Sequence, residues 1–206
     1  LFDLGSALAI DLVAIVNHNM SAGATITVKA GTTSATTDFS QSMTARLTDA
    51  FLLLSATQTY RYWRIEVADA SISDAFIEIG YVLIGDATIS TFNFAERYEF
   101  ADRFDNLAVE SEFGVPFVAE LFGRIRLRLL YRNLLAADMT TLRTMYRGQK
   151  RNLKTLFLIP DKDVNDGYFG RWMNDLERTI SSISGGTAQS AELEFSEDPR
   201  GKKIAA

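Results

Sequence analysis

Apolar and polar residues alternate with a period of two along several stretches of this chain, and that period predicts strands. In residues 24–30, Ile26 and Val28 fall on one face. In residues 60–67, Tyr62, Arg64 and Glu66 share one face, while Trp63, Ile65 and Val67 share the other. Residues 9–16 form a β-branched apolar run that ends in Asn17-His18-Asn19, which predicts a strand followed by a turn. Residues 76–85 predict a strand pair or a bulged strand, with Gly80 as the break. The Thr- and Ser-rich residues 32–42 predict an exposed loop. Short strands at this spacing point to a β-sandwich or jelly roll over residues 1–88.

The pattern changes after Gly85, and a junction is expected between Gly85 and Thr91. Residues 89–206 read as a second β-rich domain with one α-helix near 138–147, so the expected fold class is mainly β. Asp138 is the expected N-cap, because its carboxylate can accept from the free N–H groups of a first turn. Met139, Leu142, Met145 and Tyr146 recur at helical spacing, and Gly148 is the expected stop. Residues 123–131 alternate strictly: Arg124, Arg126 and Arg128 share a face with Leu130, opposite Ile125, Leu127, Leu129 and Tyr131. Residues 154–160 are nearly all apolar and predict a more deeply buried strand ended by Pro160. An acidic loop over 161–170 and two strands, 170–183 and 188–195, complete the expectation.

Composition narrows the chemistry. With 206 residues, 47% hydrophobic and 23% charged, the chain can bury one large core or two smaller ones. A net charge of −5 argues against general nucleic-acid affinity, which draws on clustered Lys and Arg. No run approaches the roughly 18 apolar residues of a membrane span. Asp3 and Asp11 sit where a signal peptide would be basic or apolar, and a start at Leu1 suggests that a few residues precede it. The absence of cysteine removes disulfides, thiolate ligands and thiol nucleophiles, and a single histidine makes a catalytic triad hard to build. A non-enzymatic protein without cofactor or metal is the expectation, and a hydrolase built on His18 ranks a distant third among functions.

Each candidate binding residue also has a plainer role open to it. His18 between two asparagines suits a polar cluster for a sugar or cation, but a turn explains it better. Tyr60, Tyr62 and Arg64 face away from Trp63 by alternation, leaving them to meet a ligand or partner while Trp63 enters the core. Arg124, Arg126 and Arg128, about 6–7 Å apart along one strand face, repel unless neutralised. Pairing with Glu192 and Glu194, on a neighbouring strand or subunit, fits the acidic chain better than a DNA-lined lumen. The loop from Asp161 to Gly167 has alternating oxygen ligands, yet position 172 is Trp where an EF-hand requires Glu. There is no phosphate-loop spacing.

Two segments carry a resemblance. The strand Tyr62-Trp63-Arg64-Ile65-Glu66-Val67, followed by Ile79-Gly80-Tyr81-Val82-Leu83-Ile84-Gly85, resembles a pattern of galactose-binding-like, discoidin-type jelly rolls. The run from Asp11 to Asn19 is similar to an opening found in small phage virion proteins of the tail and neck. The second part, with its arginine strand, helix, Phe157-Leu158-Ile159-Pro160 and closing Ala191-Glu192-Leu193-Glu194-Phe195, resembles tail-tube and tail-adaptor β domains. This resemblance implies a structural component of a phage tail, made in the bacterial host cytoplasm and acting in the virion. Its partners would be copies of itself in a ring and other tail proteins, with DNA only passing through a lumen. The alternative is a carbohydrate-binding module that attaches to host glycans.

Overall fold

The computed structural model describes residues 1–47, 49–74, 76–88, 98–110, 116–150, 153–160, 167–183 and 186–197. The chain divides into two compact units, residues 1–88 with 159–167, and residues 89–158 with 168–206. The fold is mainly β: two antiparallel sheets and, among the described residues, one helix.

The first unit contains β1 (Phe2–His18), β2 (Thr25–Gly31), β3 (Phe39–Thr44), β4 (Ala50–Ala68) and β5 (Ile79–Gly85). They join in a single sheet of order β3-β2-β4-β1-β5. The expected sandwich therefore takes the form of one hydrogen-bonded sheet rather than two. Its core gathers Val13 and Ile15 from β1, Ile26 and Val28 from β2, Met43 from β3, and Leu54 and Trp63 from β4. Among the described residues no helix lies in this unit. The β1–β4 register shifts between Asp3 and Leu8 and again between Ile10 and Leu12. Breaks of this kind bend and twist strands, which lets two halves of long strands serve one core.

Three expectations for this unit change. Residues 39–42, the end of the expected 32–42 loop, belong to β3 and pair with β2 as an edge strand. Their composition hid this, because in β3 only Met43 is buried. Gly80 does not break a strand; it lies inside β5. The strand β1 runs on through Asn17 to His18, and Asn17 has φ 55, the left-handed conformation that Asn tolerates better than most residues.

The second unit contains β6 (Tyr98–Glu110), β7 (Pro116–Leu134), α1 (Ala136–Gly148), β8 (Leu156–Leu158), β9 (Tyr168–Trp172), β10 (Glu177–Ile183) and β11 (Gly186–Glu197). Its sheet has the order β6-β7-β11-β9-β8, with β10 also paired to β11. Leu127, Leu129 and Tyr131 of β7, Trp172 of β9, and Leu193 and Phe195 of β11 meet Met139, Leu142 and Tyr146 of the helix. Trp172 packs edge-on against Phe195, with ring centroids 5.8 Å apart. Gly170 is required beside them, because a Cβ there would collide with the Ser196 carbonyl oxygen and the Phe195 ring.

The helix begins earlier than expected. Leu135 occupies the N-cap, and Asp138 sits three residues inside, where its Oδ2 accepts the Leu135 N–H at 3.0 Å. Leucine has no side-chain acceptor to return the bond, so only this half of a capping box is made. Gly148 is the last helical residue, and the left-handed position that turns the chain away is Lys150, at φ 51. The apolar run at 154–160 gives only the three-residue edge strand β8, which is half-buried. The expected strand 170–183 is two strands, β9 and β10.

Candidate functional site

The sequence candidates fall in three separate places. In the first unit, Tyr62 and Arg64 lie on β4 and border a shallow depression with Lys29 of β2 and Thr33 and Thr36 of the following loop. That loop is held by Asp38, whose Oδ2 accepts the Thr32 N–H at 2.8 Å and the hydroxyls of Thr32 and Thr36. The Thr32 backbone bond, with those from the Thr32 and Thr36 hydroxyls, holds the Asp38 carboxyl below its ordinary pKa. Gly31 permits the close return of the loop, since a Cβ there would strike the Thr36 carbonyl.

Both cations that border this depression are engaged by one neighbouring carboxylate. Lys29 Nζ donates to Glu66 Oε2 at 2.7 Å, and Arg64 Nε lies 3.2 Å from Glu66 Oε1. Arg64 Nη2 also donates to the Thr37 hydroxyl at 3.0 Å. Lys29, foremost, holds Glu66 below its ordinary pKa. Next to them Arg61 grips Asp3 through two bonds of 2.7 and 2.8 Å, and its guanidinium lies 4.9 Å from the centre of the Tyr62 ring. Arg61, helped by the Gly5 N–H, lowers the Asp3 carboxyl to about 2. Two cations thus share one carboxylate beside a ring that already carries a guanidinium.

Tyr60 does not join them. It packs against the core, and its carbonyl accepts the Trp63 indole N–H at 3.2 Å. The cause is the register break: Tyr62 pairs with Asp3, but Tyr60 pairs with Leu8. Strict alternation fails across such an irregularity, so Tyr60 and Trp63 both reach the core. Sequence reasoning also missed Lys29, Arg61, Asp3, Glu66 and the threonines. Asp3 and Arg61 are 58 positions apart, and nothing local joins them.

His18 lies at the opposite end of β1 from the residue that pairs with Tyr62, across from Ile79. Its Nδ1 accepts the Met20 N–H at 3.2 Å. Asn19 pins the 74–78 segment: its amide nitrogen donates to Asp74 Oδ2 and the Phe76 carbonyl, and its oxygen accepts the Glu78 N–H at 2.7 Å. Asn17 donates its N–H to Asp49 Oδ1 at 3.0 Å. The cluster thus has structural work at each residue.

The third place is the charged face of β7. Arg128 meets Glu192 of β11 through two bonds, 2.6 and 3.0 Å, and reaches Glu99 of β6 at 3.4 Å. The pair raises the Arg128 pKa and lowers that of Glu192. Both side chains are more than a third exposed, so solvent screening keeps the pair's contribution small. Glu194 stands opposite Arg128 in the strand register, yet Arg128's bonds go to Glu192 and Glu99; Glu194's own N–H is held by Asn174. Arg126 is half-buried, opposite Ala101 and Ser196, and its Nε finds no hydrogen bond among the described residues. The side chain of Arg124 and the loop residues 161–166 lie outside the described residues. Neutralisation of Arg128 is thus accomplished inside one chain.

Among the described residues no group of three or more His, Asp or Glu side chains is placed to hold a metal ion. No described helix is long and apolar enough to cross a membrane. Comparison with protein-family models, with curated proteins and with solved structures gives no match for this chain.

Proposed function

We propose that this chain is a non-catalytic assembly protein: a structural component of a phage tail that forms a homo-oligomeric ring or adaptor. One observation carries the assembly part. The strand β6 is 13 residues long and ends the order of its sheet, so along its outer side no strand pairs with it among the described residues. A free edge of this length presents unsatisfied N–H and C=O groups and is a template for another strand. The tail setting rests on the sequence resemblance of the arginine strand, helix and closing β11 segment to tail-adaptor domains.

Light scattering with size-exclusion chromatography, followed by negative-stain imaging, tests the proposal. Discrete oligomers with a closed outline are expected. A monomer at every concentration overturns it.

A glycan-attachment role has one observation in its favour, the depression bordered by Tyr62, Arg64 and threonine hydroxyls. The ion pairs that occupy its charges and the Arg61 guanidinium over Tyr62 weigh against it. Binding to a glycan array that is lost in Tyr62→Ala would reverse the order of the two proposals.

A further inference from the structure

His18 closes its turn through its ring. The Nδ1 atom accepts the Met20 N–H at 3.2 Å, a bond that straddles Asn19. A backbone N–H can only donate, so Nδ1 carries no proton and the ring is neutral in this arrangement. An imidazolium has donors on both nitrogens and no acceptor, so this bond and a second ring proton exclude one another. Met20 is 2% exposed and belongs to the core of the first unit. Its N–H therefore has little water to turn to when the ring stops accepting, and an unmet buried donor is costly.

The residue inside that bond is the one that fastens the entry to β5. Asn19 Nδ2 donates to Asp74 Oδ2 at 2.9 Å and to the Phe76 carbonyl at 3.0 Å. Its Oδ1 accepts the Glu78 N–H at 2.7 Å, and its own N–H reaches the Glu78 carbonyl at 3.3 Å. The next residue, Ile79, stands opposite His18 in the last pair of the β1–β5 register. The strand β5 ends the order of its sheet, so among the described residues no strand holds it from the other side. Its entry depends on the Asn19 turn.

We propose that His18 is an acid-operated latch: neutral, it fixes the Asn19 turn and with it the segment that leads into β5; protonated, it releases that segment while the rest of the sheet stays paired. The chain has one histidine and no cysteine, and histidine is the side chain that ordinarily titrates between about pH 5 and 8. A ring that folds neutral contributes stability above that range, and the contribution is lost as the pH falls through it. Charged and titratable groups surround the turn on every side. Asp49 holds the Asn17 N–H, and Arg46 lies over the Phe51 ring. Asp74 and Glu78 flank the fastened segment, Tyr81 stands opposite Val16, and Asp69 holds Ser21. These groups set the pH at which the proton arrives, and none of them returns an acceptor to Nδ1. The latch needs no second chain and does not depend on self-assembly.

Hydrogen exchange of the full-length chain, read by mass spectrometry and corrected for the intrinsic rate at each pH, tests the latch. From about pH 7.5 to about pH 5, protection of peptides spanning residues 17–20 and 76–80 should fall on the order of tenfold, the effect of one lost buried hydrogen bond. Protection of residues 63–67 in β4 should stay level. In His18→Asn the side-chain oxygen can accept the same N–H, two residues on, and does not titrate. Every carboxylate remains in that variant, Asp86 included, so its protection should hold at the parent's neutral level throughout. His18→Leu, with no acceptor, should show the open level at both ends of the range. A parent whose protection is level across the range overturns the latch, and so does a His18→Asn variant that loses protection as the parent does.

Discussion

Gly80 of β5 lies against Asn17 of β1 so closely that a Cβ on Gly80 would stand 2.7 Å from Asn17 Nδ2 and 3.1 Å from its carbonyl oxygen. Asn17 holds a left-handed backbone there, anchored by its N–H bond to the buried Asp49 carboxylate. The kink and the glycine are therefore one device. Gly80→Ala should lower stability by about 1–3 kcal/mol, as overpacking does. Urea denaturation checks it; an unchanged midpoint would show that β5 moves aside without cost.

The Asp3–Arg61 pair gives an acid signature. The Asp3 carboxyl is depressed from 3.8 to about 2. Its contribution is present above the unfolded value and is lost as the pH falls through the folded one. Carbon-detected NMR should place the Asp3 midpoint near 2, and Arg61→Gln should return it towards 3.8.

A carboxylate pair works in the other direction. Asp86 follows β5, next to Asp11 of β1; the hydrogen bond to Asp11, with burial and like charge, raises the Asp86 pKa. A raised acid favours the fold below its unfolded value, and that contribution disappears as the pH rises through the folded value. Asp86→Asn should therefore raise the melting temperature at neutral pH and make no difference well below pH 3.8. Melting curves at both pH values check the sign.

Because Arg128 is neutralised within its own chain and both side chains of the pair meet solvent, Glu192→Gln should leave stability nearly unchanged. Association should remain at its parent level, measured by light scattering. A variant that falls apart into monomers would make Glu192 part of an interface after all.

The two tryptophans report on separate units. Trp63 belongs to the first core, tilted against Phe39, and Trp172 to the second. Trp63→Phe should leave emission from Trp172 alone and so isolate unfolding of the second unit. Trp63→Ala should cost about 3–5 kcal/mol, the usual loss for a fully buried aromatic side chain, and should spare the Trp172 signal. A Trp172 transition in Trp63→Ala shifted well below that in Trp63→Phe would mean that the units unfold together.

Much of the fold was legible where one face alone is buried. Ile125, Leu127, Leu129 and Tyr131 alternate with the arginines, and Leu127, Leu129 and Tyr131 are buried as that period requires. Legibility stopped where long-range pairing decides the outcome. Phe39 to Ser42 looks like a loop because an edge strand needs little apolar sequence, and residues 154–160 look central although they supply only an edge. Tyr60 was misplaced because a bulge leaves no mark on local composition. The depression beside Tyr62 was half visible: its own strand named Tyr62 and Arg64, while Lys29, Asp3 and the threonines come from elsewhere in the chain.

The strand order of the first unit has a consequence in time. The strand β1 lies between β4 and β5, so neither of its edges is satisfied until residues 50–68 and 79–85 have been made. A chain emerging residue by residue holds an apolar strand without neighbours through most of that unit's synthesis. Pairings so distant in sequence must close large loops before they gain anything, which places such β topologies among the slower folders, in milliseconds to seconds. The helix Ala136–Gly148, built from neighbours only, can form as soon as it is made. In this molecule β1, made before both of its neighbours, is among the last strands of its sheet to be completed.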